Sequence, residues 1–187
     1  MNSNEKTASE VVIDLYTQAC DELFTTYGLT ACLQRQNADR HNAKEASYIS
    51  ILGASGEKIR ISSTVNIGVS LLANLHPSGA KNVPQRDLED WCQELNNQLV
   101  GRVKNKLLRL GCEVITGLPS LISGTGVKTV STASTPDLEM RQYFFASERG
   151  YLSTTLAILL APDIEFKEVQ SLPGDDQVKS EGALALF

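Results

Sequence analysis

The chain has 187 residues, 42% of them hydrophobic and 21% charged, the make-up of one soluble globular domain long enough to bury a core. Lys and Arg number 17 against 22 Asp and Glu, a formal net charge of -5. That balance leaves no surplus of cations to displace counterions from phosphates, and it argues against a nucleic-acid binder.

Cys20, Cys32, Cys92 and Cys112 form no CxxC pair, and His41 and His76 are the only histidines. A structural zinc site needs closer-spaced ligands, so these read as reduced thiols of a core. The opening MNSNEKTASE is polar and has no apolar h-region. Every apolar run is far below the ~20 residues of a membrane helix. The expectation is a cytoplasmic protein with neither membrane nor nucleic acid among its partners.

Thr7-Ala8-Ser9-Glu10 has the form of a capping box. Val11, Val12, Leu15, Tyr16, Ala19, Cys20, Leu23, Phe24 and Tyr27 follow in the rhythm of one buried helical face, and Gly28 supplies the C-terminal stop. Strands are predicted over Leu29–Gln36, Tyr48–Ala54 and Glu57–Val65, the last two joined by a hairpin turn at Ser55-Gly56, with a polar loop over Arg35–Glu45. A short helix fits Ile67–Leu75, ending at His76-Pro77. A long helix starts near Pro84, which suits a first turn, and runs to about Leu110 before Gly111. Cys112–Gly117 is a short strand candidate. Leu138–Ser147 and Tyr151–Leu160 form a second hairpin through Glu148-Arg149-Gly150. The result is an α/β (α+β) fold, an antiparallel sheet with packed helices, in a single domain over 1–167. Residues 168–187 read as a polar, flexible tail with an apolar end at Ala183–Phe187.

The long helix carries the informative chemistry. Leu88, Cys92, Leu95, Leu99, Val103 and Leu110 form one stripe, flanked by Trp91. With Leu95 at zero, the stripe centres near roughly 50°, while Asp90, Glu94, Asn97, Gly101 and Lys104 fall between roughly 180° and 260° on the solvent side. Gly101 in an exposed helical face costs about 1 kcal/mol relative to Ala and leaves room for a close approach. Glu94 and Asn97 put two different polar tools on one patch. The carboxylate can pair with a cation. The neutral amide donates and accepts at once and can orient a water, but it is no general base.

The run Asp90-Trp91-Cys92-Gln93-Glu94-Leu95-Asn96-Asn97-Gln98-Leu99-Val100-Gly101 resembles the active helix of the CheC/CheX/FliY chemotaxis phosphatases. Their pattern is an acidic or Ser residue, then Glu, then Asn at helical spacing, and a later Pro. Asp90, Glu94, Asn97 and Pro119 match in order, with a gap from Asn97 to Pro119 slightly shorter than usual. Leu118-Pro119-Ser120-Leu121-Ile122-Ser123-Gly124 is similar to the segment that follows that helix. The resemblance spans roughly Leu29–Leu160. The first helix has no E-x-x-N, and a single motif is the CheX form, whereas CheC and FliY typically carry two.

The resemblance implies a phosphatase acting on the aspartyl phosphate of a CheY-like response regulator. Asn97 would orient the in-line water, and Glu94 would pair with the receiver's active-site Lys. Mg²⁺ would belong to the receiver, so the chain would need no cofactor of its own. Asp90, Gly101 and Lys104 would be partner-binding positions, and a homodimer joined through sheet edges is implied. The alternative is a non-catalytic receiver-binding or flagellar-switch-like module using the same face.

Ser55-Gly56 and Ser123-Gly124-Thr125-Gly126 lack the Gly-Lys-Ser/Thr ending of a phosphate loop and read as turns. His76 reads as a capping or exposed residue, and Cys92 as a core thiol rather than a nucleophile.

Overall fold

The computed structural model describes residues 6–32, 46–79, 82–125, 127 and 137–167. Helix α1 spans Ala8–Thr26 and begins with the expected capping box. The Glu10 amide donates to the Thr7 hydroxyl at 3.2 Å, and the Thr7 amide donates to the Glu10 carboxylate at 2.8 Å, so two amides of the first turn are satisfied reciprocally. At the other end Gly28 adopts φ 71°. Its N–H donates to the Thr25 carbonyl at 2.9 Å, and the Leu29 N–H donates to the Phe24 carbonyl at 3.0 Å. This is a Schellman stop, which needs a residue that tolerates positive φ.

Strand β1 (Thr30–Cys32) covers the first part of the predicted Leu29–Gln36 strand. Both the Arg35–Glu45 loop and His41 lie outside the described residues, as does the 168–187 tail. Strands β2 (Ala46–Ser55) and β3 (Ile59–Gly68) form the predicted hairpin, in register Ser55↔Arg60 through Ser47↔Gly68. Helix α2 (Val69–Leu75) starts two residues later than the pattern suggests, because Ile67 and Gly68 remain paired with Tyr48 and Ser47. Helix α3 (Gln85–Arg109) has Pro84 as its N-cap, just outside the helix rather than in its first turn. It ends as α1 does: Gly111 has φ 71°, and Cys112 N–H donates to the Leu107 carbonyl at 3.0 Å.

The sheet is completed by β4 (Ile115–Thr116), β5 (Ser120–Thr125), β6 (Glu139–Ser147) and β7 (Gly150–Leu160). All described pairings are antiparallel, in the order β1-β6-β7-β3-β2, with β4 and β5 sharing the outer edge of β2. Strand β5 corrects the turn reading of Ser123-Gly124-Thr125, which pair with Tyr48, Ser47 and Ala46. Ser123 and Gly124 have little strand preference of their own. The unpaired backbone edge of β2 supplies the hydrogen bonds that make them a strand.

Helices α1 and α3 pack against each other and against the sheet. The core joins Tyr16, Leu23 and Phe24 of α1 to Leu95, Leu99 and Val103 of α3, over Leu52, Val65, Leu152 and Leu156 of the sheet. Among the described residues no helix is long and apolar enough to cross a membrane. The architecture is the expected antiparallel sheet with packed helices.

Candidate functional site

Which residues of α3 face outward is decided by what lies beneath it. Leu88, Cys92, Leu95, Asn96, Leu99, Val100, Val103 and Leu107 are buried. Relative to Leu95 they fill an arc from zero to roughly 140°. This arc is broader than the stripe read from the sequence, because Asn96, Val100 and Leu107 belong to it. Trp91, also buried, lies at the arc's other flank, where its ring meets Tyr27 edge-on at 5.9 Å and His76 at 6.0 Å. His76 is the C-cap of α2, and its Nδ1 meets the Ser78 hydroxyl at 2.7 Å.

Asn96 anchors the helix. Its Nδ2 donates to the carbonyls of Ser50 at 3.0 Å and Ser63 at 3.1 Å, and its Oδ1 accepts from the Ser63 hydroxyl at 2.8 Å. Since Ser63 gives its only hydroxyl hydrogen to Asn96, the Tyr16 hydroxyl, 2.9 Å away, donates to Ser63. This fully buried chain ties α1, α3, β2 and β3 together and sets the rotation of α3 about its axis. Burial pushes the Tyr16 hydroxyl well above its ordinary range, so it stays a donor. Sequence reading missed Asn96, although its angle, roughly 100° from Leu95, was the available signal.

With Asn96 turned inward, the five candidate positions share the opposite face. Asn97 and Asp90 are exposed, while Glu94, Gly101 and Lys104 are half-buried. The side chains of Asp90, Asn97 and Lys104 have no hydrogen-bond or ion-pair partner among the described residues. Glu94 has one: its Oε1 accepts from Gln98 Nε2 at 3.0 Å. The face therefore runs from carboxylates through an amide and a bare backbone position to an ammonium, the amide and the ammonium without a partner among the described residues.

Among the described residues nothing packs against the Gly101 position. A Cβ built there meets nothing within 4 Å, whereas one at Gly56 would lie 2.3 Å from the Glu113 carbonyl oxygen. Folding explains Gly56. It does not repay the ~1 kcal/mol that glycine costs in the middle of α3.

Pro119 is half-buried and immediately precedes β5, which touches α3. The large apolar side chains exposed in this region are Ile115, Leu118 and Ile122, with Leu118 91% exposed. Burial pushes the thiols of Cys20 and Cys92 up to about 12, which leaves both without thiolate character at neutral pH, as expected of core residues. Among the described residues no three His, Cys, Asp or Glu side chains cluster as a metal site.

No protein-family model matches the chain, and no curated protein matches it. Solved structures do. CheX from Vibrio vulnificus superposes with a TM-score of 0.62 at 17% identity, over 83% of this chain and 99% of that one. A chemotactic CheC-like protein from Shewanella oneidensis MR-1 gives 0.63 at 18% identity, over 79% and 97%. The CheX–CheY–BeF3–Mg2+ complex from Borrelia burgdorferi gives 0.53 at 14% identity, over 83% and 99%. The chain has the fold of the CheX and CheC-like chemotaxis proteins.

Proposed function

We propose that the chain dephosphorylates the aspartyl phosphate of a CheY-like receiver domain. The observation that carries the reading is the exposed side chain of Asn97, without a partner among the described residues and one helical turn from Glu94, on a face whose glycine touches none of those residues. A protein of the same fold has been seen in complex with CheY.

Hydrolysis of an acyl phosphate requires a water in line with the phosphorus–oxygen bond that breaks, with the aspartate carboxylate leaving. The receiver, with the Mg²⁺ assigned to it, already holds the phosphoryl group. The added protein has to deliver an oriented water and exclude others. Asn97 is suited to orienting it, since its Oδ1 accepts a water hydrogen and its Nδ2 donates, with no change of protonation. Glu94 supplies the docking charge for the receiver's Lys. Gly101 lets the helix backbone come close, and Asp90 and Lys104 meet the rim of the receiver. No nucleophile is needed from this chain, in keeping with the inert thiols of Cys20 and Cys92.

The test is decay of a phosphorylated receiver with and without the protein. Acceleration by wild type and none by Asn97→Ala, at unchanged thermal stability, is the expected result. A failure to accelerate decay of any receiver from the same cell overturns the proposal. Binding without acceleration would instead favour a docking module.

A further inference from the structure

We infer that Gln98 is a positioning residue for Glu94, with its amide oxygen held from behind by Tyr27 at the C-terminal end of α1. This rests on the docking role proposed for Glu94. Gln98 is half-buried at the side of the candidate face. Its Nε2 donates to Glu94 Oε1 at 3.0 Å, and its Oε1 accepts from the Tyr27 hydroxyl at a longer 3.5 Å. The Gln98 backbone carbonyl accepts from Arg102 Nη1 at 3.2 Å.

A glutamine amide can be turned either way round, and here Glu94 selects the orientation, because an ionised carboxylate can only accept and so takes the NH2 end. The amide oxygen then faces α1. There the Tyr27 hydroxyl, which can donate or accept, donates to it. Burial raises the Tyr27 hydroxyl above its ordinary range and keeps it a donor. Its ring is wedged edge-on against Trp91, so the relay starts from a fixed point in another helix.

Gln98 engages one oxygen of the Glu94 carboxylate and leaves the other for a cation. A glutamate on an open helix face loses rotamer freedom when it docks. Gln98 removes part of that cost in advance, the usual effect of preorganisation on affinity. An ordinary surface pair at i and i+4 would give the first contact alone. The Tyr27 hydroxyl distinguishes the two cases, because a surface pair does not depend on it.

The experiment titrates wild type, Gln98→Leu, Tyr27→Phe and Glu94→Ala, singly and combined, against each purified receiver of the cell, phosphorylated with a small-molecule phosphodonor. Both affinity and steady-state decay are recorded. Gln98→Leu is expected to raise KM and Kd on the order of fivefold, the scale of one ordinary hydrogen bond net of its exchange with water, with kcat unchanged. Tyr27→Phe keeps the ring packing and is expected to raise both about twofold at an unaltered melting temperature. In the Glu94→Ala background neither change adds further loss. Unchanged KM and Kd in Gln98→Leu, or a loss that persists in full without Glu94, overturns the inference. If wild type binds a receiver but does not accelerate decay, the phosphatase reading fails while the affinity cycle still decides the role of Gln98. If wild type binds no receiver, both fail.

Discussion

Asn96→Ala removes three short hydrogen bonds of 2.8, 3.0 and 3.1 Å, and a longer one of 3.4 Å to the Ser50 hydroxyl, from a fully buried site. At about 1 kcal/mol net each, the short ones contribute roughly 3 kcal/mol. The better helix propensity of Ala returns about 0.6 kcal/mol. The expected loss is therefore roughly 2–3 kcal/mol, or a melting temperature lowered by about 5–10 °C for a chain of this size. Asn97→Ala removes an exposed side chain with no partner among the described residues, so the same propensity change predicts equal or slightly higher stability. Receiver dephosphorylation well below either transition should show the opposite pattern, with Asn96→Ala active and Asn97→Ala inactive. Urea unfolding and a decay assay on the same samples measure both. A destabilised Asn97→Ala beside an Asn96→Ala of wild-type stability would refute the rotation of α3 on which the site depends.

Gly101→Ala should raise the melting temperature by about 2–4 °C, because a Cβ there meets nothing and Ala removes about 1 kcal/mol of helix penalty. Gly101→Trp should fold but lose receiver binding in a titration; retained binding would show that no close approach occurs there. The alkaline limit should be set partly by Cys20 and Cys92, whose thiols titrate at about 12 in the fold, against an ordinary value near 9. Raised values mean that their contribution is complete below about pH 9 and is lost as pH climbs toward 12, at up to about 1.4 kcal/mol per pH unit per thiol. Urea titrations between pH 8 and 10.5 should show this slope, and a Cys20→Ala, Cys92→Ala protein should flatten it. Thr7→Ala opens the capping box and should cost about 1 kcal/mol, read as a fall of about 2–4 °C in melting temperature.

The elements with strong local signals were legible in the chain itself. The capping box at Thr7, the glycine stops at Gly28 and Gly111, and the two hairpins stand where residue chemistry places them, because each depends on neighbours a few residues away. The candidate face of α3 was also legible, since helical geometry alone puts Asp90, Glu94, Asn97, Gly101 and Lys104 on one side. Strand β5 was not. Its Ser, Gly and Thr residues look like a turn until the edge of β2 is placed beside them.

Local sequence thus determined the elements and the polar face, through periodicity and capping that act over one or two turns. Tertiary structure decided what the inward-facing asparagine binds. Asn96 is held by Ser50 and Ser63, 46 and 33 residues away in the chain. No local signal carries such a partner, because a buried amide is stable only where distant strands bring donors and acceptors to it. The same packing set Gln98 between Glu94 and Tyr27, a link that requires α1 and α3 to lie side by side.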